Sequence, residues 1–202
     1  MADDGKVKEG TMDIVASHQR VLLGSILRTS GPILELGVGW YSTPLLHEIA
    51  TTLRRPVLTV DNNKDWFTQF EGLENAYHQF KLVGWWGELW PWLPRYLNEV
   101  DPLLGKVREG VSNNDFAVAL IDQNQPCERE YSIRQLLGKV QVFVMHDTEE
   151  GPAYGYNRML PAFAHQWTDK CQRAWTTVAS NVYDVSGWFD ELPPVEETTE
   201  VT

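Results

Sequence analysis

Seven residues of this 202-residue chain have the type and spacing to do chemistry: Glu35, Gly37, Gly39, Asp61, Asp122, His146 and Asp147. Glu35-x-Gly37-x-Gly39 follows the apolar Ile33, Leu34 and Leu36, and its glycines permit a sharp turn with close approach of a ligand to the backbone. A carboxylate at Glu35 would repel a diphosphate, and Ser42 stands where a dinucleotide fingerprint has its third glycine. The turn therefore suits the ammonium or ribose of a cationic cofactor better than a pyrophosphate. Asp61 lies 22 residues after Gly39, close to the spacing at which an acidic side chain takes ribose hydroxyls, with Asn62 beside it. Asp61-Asn62-Asn63 also reads as a turn and helix cap before Trp66, and both roles can hold at once. Asp122, His146 and Asp147 end two later apolar runs and are candidates for a general base or for ligands of a divalent ion. Adjacent strand residues point to opposite faces, so His146 and Asp147 can share a ligand only if the chain has left the strand between them. His146 reads equally well as a hydrogen-bonded structural histidine, and His18, His47, His78 and His165 as surface or helix residues.

The elements that must position these residues alternate. A helical stripe over Thr11 to Arg28, ended by Ser30-Gly31-Pro32, should pack at the sheet edge or lid the site. After the first strand, Ser42 or Thr43 can cap a helix with Pro44 in its first turn and Leu45, Leu46, Ile49, Ala50 and Leu53 along it. Val57 to Val60 is a second strand, Asp65 to Leu73 a short helix, and Tyr77 to Val83 a third strand. Asp115 to Asp122 is a fourth strand, Pro126 to Leu137 a helix, and Val140 to Met145 a fifth strand. The loop from Glu149 to Asn157 precedes a short helix over Arg158 to Phe163. Trp175 to Val178 and Asn181 to Phe189 read as a closing antiparallel hairpin. This order implies an α/β, doubly wound sheet, mostly parallel with an antiparallel end. In such sheets ligands bind beyond the carboxyl ends of the strands, where Glu35, Asp61, Asp122 and His146-Asp147 all fall.

Gly84 to Trp92 (GWWGELWPW) packs Trp85, Trp86, Trp90 and Trp92 into eight positions. Such rings suit the wall of a substrate pocket, with core packing or an exposed contact patch as the alternatives.

The turn and the alternation together resemble the class I S-adenosylmethionine-dependent methyltransferases, over roughly Met12 to Trp188. The resemblance implies a Rossmann-like fold with S-adenosyl-L-methionine held by Glu35, Gly37, Gly39, Ser42, Thr43, Asp61 and Asn62, and the adenine near Leu82 to Trp85. It implies transfer of a methyl group to a hydroxyl of a small molecule, with Trp85, Trp86 and Trp90 toward the substrate and Asp122, His146 and Asp147 as catalytic candidates. ALID followed by VFVMHDT also resembles metal-dependent sugar O-methyltransferases, which would make Asp122 and Asp147 ligands of Mg2+ with His146 a third. The Asp-Gly-x-His turn common in those enzymes is here Asp122-Gln123-Asn124-Gln125, so their usual base is missing.

Composition narrows the classes. With 43% hydrophobic and 22% charged residues the chain is expected to form one domain over residues 11–189, between a flexible segment (1–10) and a disordered acidic tail (190–202). A net charge of −11 without a basic run, and no Asn-Pro-Pro-Tyr or Asp-Pro-Pro-Tyr string, argue for a small-molecule substrate and against nucleic acid. Cys127 and Cys171 lack metal-ligand spacing and read as free thiols of a cytoplasmic protein, and no apolar run is long enough for a membrane span. A nicotinamide dehydrogenase is disfavoured by Glu35 and Ser42. A non-catalytic protein that uses the tryptophan segment to bind a partner is the alternative to an enzyme. Nothing in the sequence sets the oligomeric state.

Overall fold

The computed structural model describes residues 17–104, 115–171 and 174–191. Residues 1–16 and 192–202, which hold the expected N-terminal segment and most of the expected tail, lie outside that description.

Continuous apolar runs make the centre of the sheet. Strands β1 (Ile33–Leu36), β2 (Val57–Asp61), β4 (Phe116–Ile121) and β5 (Val140–His146) are buried along their whole length, as strands covered on both faces must be. With β3 (His78–Leu82), β6 (His165–Asp169) and β7 (Thr176–Ser180) they form one seven-stranded sheet in the order β3-β2-β1-β4-β5-β7-β6. The first five strands are parallel, and β7 runs antiparallel between β5 and β6. Strand order reverses at the β1/β4 boundary, which opens a crevice at their carboxyl ends. The doubly wound, mostly parallel sheet with an antiparallel end is thus the architecture expected from the sequence.

Alternation sorts the side chains into two core layers. Leu34, Leu36, Leu58, Val60 and Phe143 face one side with Trp86, Tyr96 and Ile133. Ile33, Val57, Val118 and Val142 face the other, against helices α1 (His18–Leu27) and α2 (Thr43–Leu53). Glu35 shares a strand face with Ile33 and is fully buried there. Short helix α3 (Lys64–Phe67) follows β2, capped where expected by Asn63, whose side chain accepts from the Trp66 N–H at 3.2 Å. Helix α4 (Leu93–Leu104) precedes β4, α5 (Pro126–Leu136) joins β4 to β5, and α6 (Gly151–Tyr154) and α7 (Tyr156–Met159) occupy the segment after β5.

The closing hairpin is antiparallel as expected, but its strands differ from those read in the sequence. β6 is an edge strand, HQWTD, mostly half-exposed and polar, and so carries no apolar run to mark it. Asn181 to Phe189 is not a strand: Ser180 Oγ accepts the N–H groups of Val182 and Tyr183 at 3.0 and 2.9 Å, which ends β7 in a turn. Val185 and Phe189 then fold back into the core.

Candidate active site

The turn between β1 and α2 is built from backbone geometry. Gly37 has φ +98°, and a Cβ there would lie 2.5 Å from the Asp122 carbonyl oxygen, so the turn presses directly on the end of β4. Its other side is strapped to β2: Asp61 Oδ2 accepts the Val38 N–H at 2.8 Å, Oδ1 accepts the Asn63 N–H at 2.7 Å, and Trp66 Nε1 donates to the Val38 carbonyl at 2.6 Å. Burial pushes the Asp61 carboxyl up from its ordinary pKa, and these backbone donors pull it back.

Glu35 supports the same turn from behind. Its carboxylate accepts Thr59 Oγ1 at 2.6 Å and Thr43 Oγ1 at 3.0 Å, and Thr43 Oγ1 accepts the Gly39 N–H at 2.9 Å. Burial raises the Glu35 pKa to about 7, against the pull of neighbouring hydroxyls. His78 Nε2 lies 2.8 Å from Thr59 Oγ1; that hydroxyl gives its proton to Glu35, so the imidazole is the donor.

A cavity of about 630 Å3 opens at the carboxyl ends of β1, β2, β4 and β5. Gly37, Val38, Gly39, Trp40, Asp61, Asn62 and Trp66 line one wall; His18, Asp122, Arg129, His146, Asp147 and Tyr154 line the other. Of the residues singled out in the sequence, Gly37, Gly39, Asp61, Asn62, Asp122, His146 and Asp147 therefore meet around one space. Glu35, Ser42 and Thr43 are fully buried behind the turn and do not line it, because strand alternation sends Glu35 beneath α2. The tryptophans also lie elsewhere: Trp86 and Trp90 are in the core, Trp85 is exposed, and no residue from Leu82 to Trp90 is part of the lining. The exposed patch that a partner-binding reading needs thus shrinks to one of these three rings.

On the second wall, β5 ends at His146 and Asp147 takes the left-handed conformation (φ 58°), so the chain has left the strand and both side chains reach one place. His146 Nδ1 is 3.1 Å from Asp122 Oδ1 and 3.6 Å from Asp147 Oδ1, and Nε2 is 3.1 Å from Ser17 Oγ. Ser17 Oγ donates its one proton to the Ala174 carbonyl at 2.6 Å, so Nε2 is a donor; the carboxylate can only accept, so Nδ1 is a donor too. His146 is thus the imidazolium in this arrangement. Burial acts to lower its pKa, but the hydrogen bond and charge of Asp122 hold it above the ordinary value. Asp122 is held below its ordinary value, because His146 and Arg129 outweigh its burial.

Sequence reasoning missed Arg129. Buried on α5, it donates to the Gln123 and His146 carbonyls at 2.6 and 2.7 Å and bridges Asp122 Oδ1 and Asp147 Oδ2 at 3.1 and 3.2 Å. Its guanidinium also lies 3.9 Å from the Tyr154 ring centroid. The expected Mg2+ between Asp122 and Asp147 is corrected by this contact, since a cation of the protein already joins the two carboxylates. His18 is a helix residue, the first of α1, as read, but it is buried; His78 is corrected, since it is neither on the surface nor in a helix but buried in strand β3. His18 packs edge-on to His146 with ring centroids 4.6 Å apart, neither of its ring nitrogens has a hydrogen-bond partner, and burial lowers its pKa to about 4. Of the lining residues not singled out in the sequence, Trp40 sits next to Gly39 in the turn and could have been found from it, whereas nothing adjacent to His18 or Arg129 marks either.

No protein-family model and no curated protein matches the sequence. Solved structures do. A ribosomal protein L11 methylase from Lactobacillus delbrueckii subsp. bulgaricus is 16% identical, with 83% of this chain and 79% of that one covered and a TM-score of 0.50. The cofactor-bound Rv0187 from MTB is 13% identical, with 88% and 85% covered and a TM-score of 0.53. The hMettl16 catalytic domain in complex with MAT2A 3'UTR hairpin 1 is 9% identical, with 86% and 72% covered and a TM-score of 0.47. At these identities the likeness is one of fold. It overturns the expectation that partners are small molecules with nucleic acid excluded, since a ribosomal protein L11 methylase shares this fold and the fold therefore does not restrict the partner to a small molecule. Net charge does not describe the cavity, since Asp190, Glu191, Glu196, Glu197 and Glu200 weigh on the total from a terminal segment remote in sequence from the cavity residues. Among the described residues no helix is long and apolar enough to cross a membrane.

Proposed function

We propose that this chain, which has the class I methyltransferase fold, binds S-adenosylmethionine in the cavity and directs its methyl group to a hydroxyl acceptor. The observation that carries this reading is the cradle formed by Gly37, Gly39 and Asp61. A side chain at position 37 would collide with Asp122, so backbone is left bare toward the cavity, and a carboxylate stands at the end of the neighbouring strand. The cavity is of a size that takes a nucleoside-bearing amino acid.

The cofactor supplies an electrophilic methyl on a sulfonium. Asp61 and Asn62 would take its ribose hydroxyls, and Trp40 and Trp66 offer apolar faces to the base or the cation. Glu35 holds Thr43, and through it Gly39, in place; it positions the turn without touching the ligand. Across the cavity, imidazolium His146 and Arg129 keep Asp122 ionised, while neutral His18 has one unprotonated ring nitrogen free to accept a hydroxyl's proton.

Calorimetric titration of S-adenosylhomocysteine tests this reading. Wild type should bind with micromolar affinity, and Asp61→Ala should weaken binding by at least about tenfold, the order of one lost charge-assisted hydrogen bond. A folded wild type that ignores the ligand would sink the proposal.

A further inference from the structure

We infer that His18, Asp122 and His146 form a site for one divalent first-row transition-metal ion of the Zn2+ type, set into the cavity wall. One ligand atom from each side chain lies within 4.8 Å of the other two. His146 Nδ1 lies 3.1 Å from the Asp122 carboxyl group, at Oδ1, close enough for one ion to bond both side chains through Nδ1 and Oδ2. A modest inward movement of His18 would close the set.

The second observation is His18 itself. At 3% exposure it has no hydrogen-bond partner on either ring nitrogen, whereas buried polar atoms in folded proteins are almost always satisfied. A structural histidine would give its N–H to a carbonyl; this one gives it to nothing and faces a carboxylate and a second imidazole. An ion among the three supplies a partner.

The surroundings fit a ligand set. Ser17 engages His146 at Nε2, the outer contact that metal-bound imidazoles commonly make, and so turns Nδ1 toward Asp122; an ion takes the place of the proton that Nδ1 now gives to Asp122, and that proton is released to solvent. Arg129 and His146 both approach Asp122 at Oδ1, which leaves Oδ2 for an ion. Asp122 and Asp147 balance Arg129 and the His146 imidazolium, so an ion enters by replacing the proton on His146, and its binding should weaken as pH falls. Two imidazoles and one carboxylate select a borderline transition ion; Mg2+ and Ca2+ favour oxygen donors. Three protein ligands leave a coordination position open, and all three line the cavity. The inference stands apart from methyl transfer, because metal binding alone reads it.

The full chain, free of any affinity tag and stripped with chelator, would be titrated with Co2+ and followed by its visible d–d absorption. Expected is one Co2+ per chain, displaced by Zn2+ but not by millimolar Mg2+. His18→Ala and Asp122→Asn should each weaken binding by at least about tenfold, and the exposed-face control His165→Ala should leave it unchanged. Circular dichroism and melting temperature verify folding, and Asp122→Asn decides the matter if His18→Ala does not fold. No Co2+ binding by folded wild type, or unchanged binding in a folded His18→Ala or Asp122→Asn, would overturn the site. Titration of S-adenosylhomocysteine into the same preparation keeps failure of the metal site distinct from failure of the cofactor reading.

Discussion

The cavity's two walls meet the same requirement, a set of polar groups in a partly buried place, by different means. In the wall made by β1 and β2, both Asp61 oxygens are met by backbone N–H groups and the turn carbonyl of Val38 is met by Trp66. In the wall made by α1, β4 and β5, two carboxylates, a guanidinium and an imidazolium satisfy one another, and a neighbouring imidazole is left without a partner. The first wall is finished before a ligand arrives, which is the arrangement that binds without reorganising. The second holds its charges in mutual balance, and its unmet group marks where something further belongs.

The sharpest way to break the first wall is Gly37→Val. A β-branched side chain at φ +98°, with its Cβ 2.5 Å from the Asp122 carbonyl, cannot be seated without moving β1 from β4. S-adenosylhomocysteine binding should disappear and stability should fall by about 3 kcal/mol or more, measured by calorimetry and by urea denaturation. Arg129→Met is the corresponding blow to the second wall. It leaves the partly buried Asp122 and Asp147 with His146 as their remaining cation, at up to about 3 kcal/mol, and denaturation should register the loss while S-adenosylhomocysteine affinity changes by less than about tenfold.

Glu35→Gln sharpens the comparison by acting behind the first wall. The Glu35 pKa is raised from an ordinary 4.5 to about 7, so the folded state binds this proton more tightly than the unfolded chain does. Its contribution is full below pH 4.5 and is lost as pH rises through about 7. A glutamine does not titrate. The stability of Glu35→Gln relative to wild type should therefore climb across that window, by at most about 3 kcal/mol, and denaturation midpoints at a series of pH values would read it. A flat difference would show that Glu35 is ionised and paired. The smallest effect is expected outside both walls: Trp85→Ala, at an exposed ring, should change stability by less than about 0.5 kcal/mol and leave ligand affinity unaltered.

The two walls also differ in how much of them the sequence made legible. Gly37, Gly39 and Asp61 are close in the chain and follow apolar strands, so spacing alone brings them together. The same local rules placed Asp122 and His146 at strand ends. They could not show that Glu35 turns beneath α2, because a two-residue period gives the face and not what covers it. Ser17 and His146 are 129 positions apart, and Arg129 reaches Asp122 and Asp147 from a helix whose sequence has no motif. Contacts of that kind exist only once the sheet order is known. The tryptophans misled for a related reason: aromatic density signals burial of area, and here Trp86 and Trp90 spend it in the core.

The two walls are proposed to divide the labour: the glycine turn holds the cofactor and the histidine wall does other work. The most direct test is titration of S-adenosylhomocysteine into wild type, Gly37→Val and His18→Ala side by side. Equal affinity is expected for wild type and folded His18→Ala, and none for Gly37→Val. Binding lost in His18→Ala but kept in Gly37→Val would contradict it.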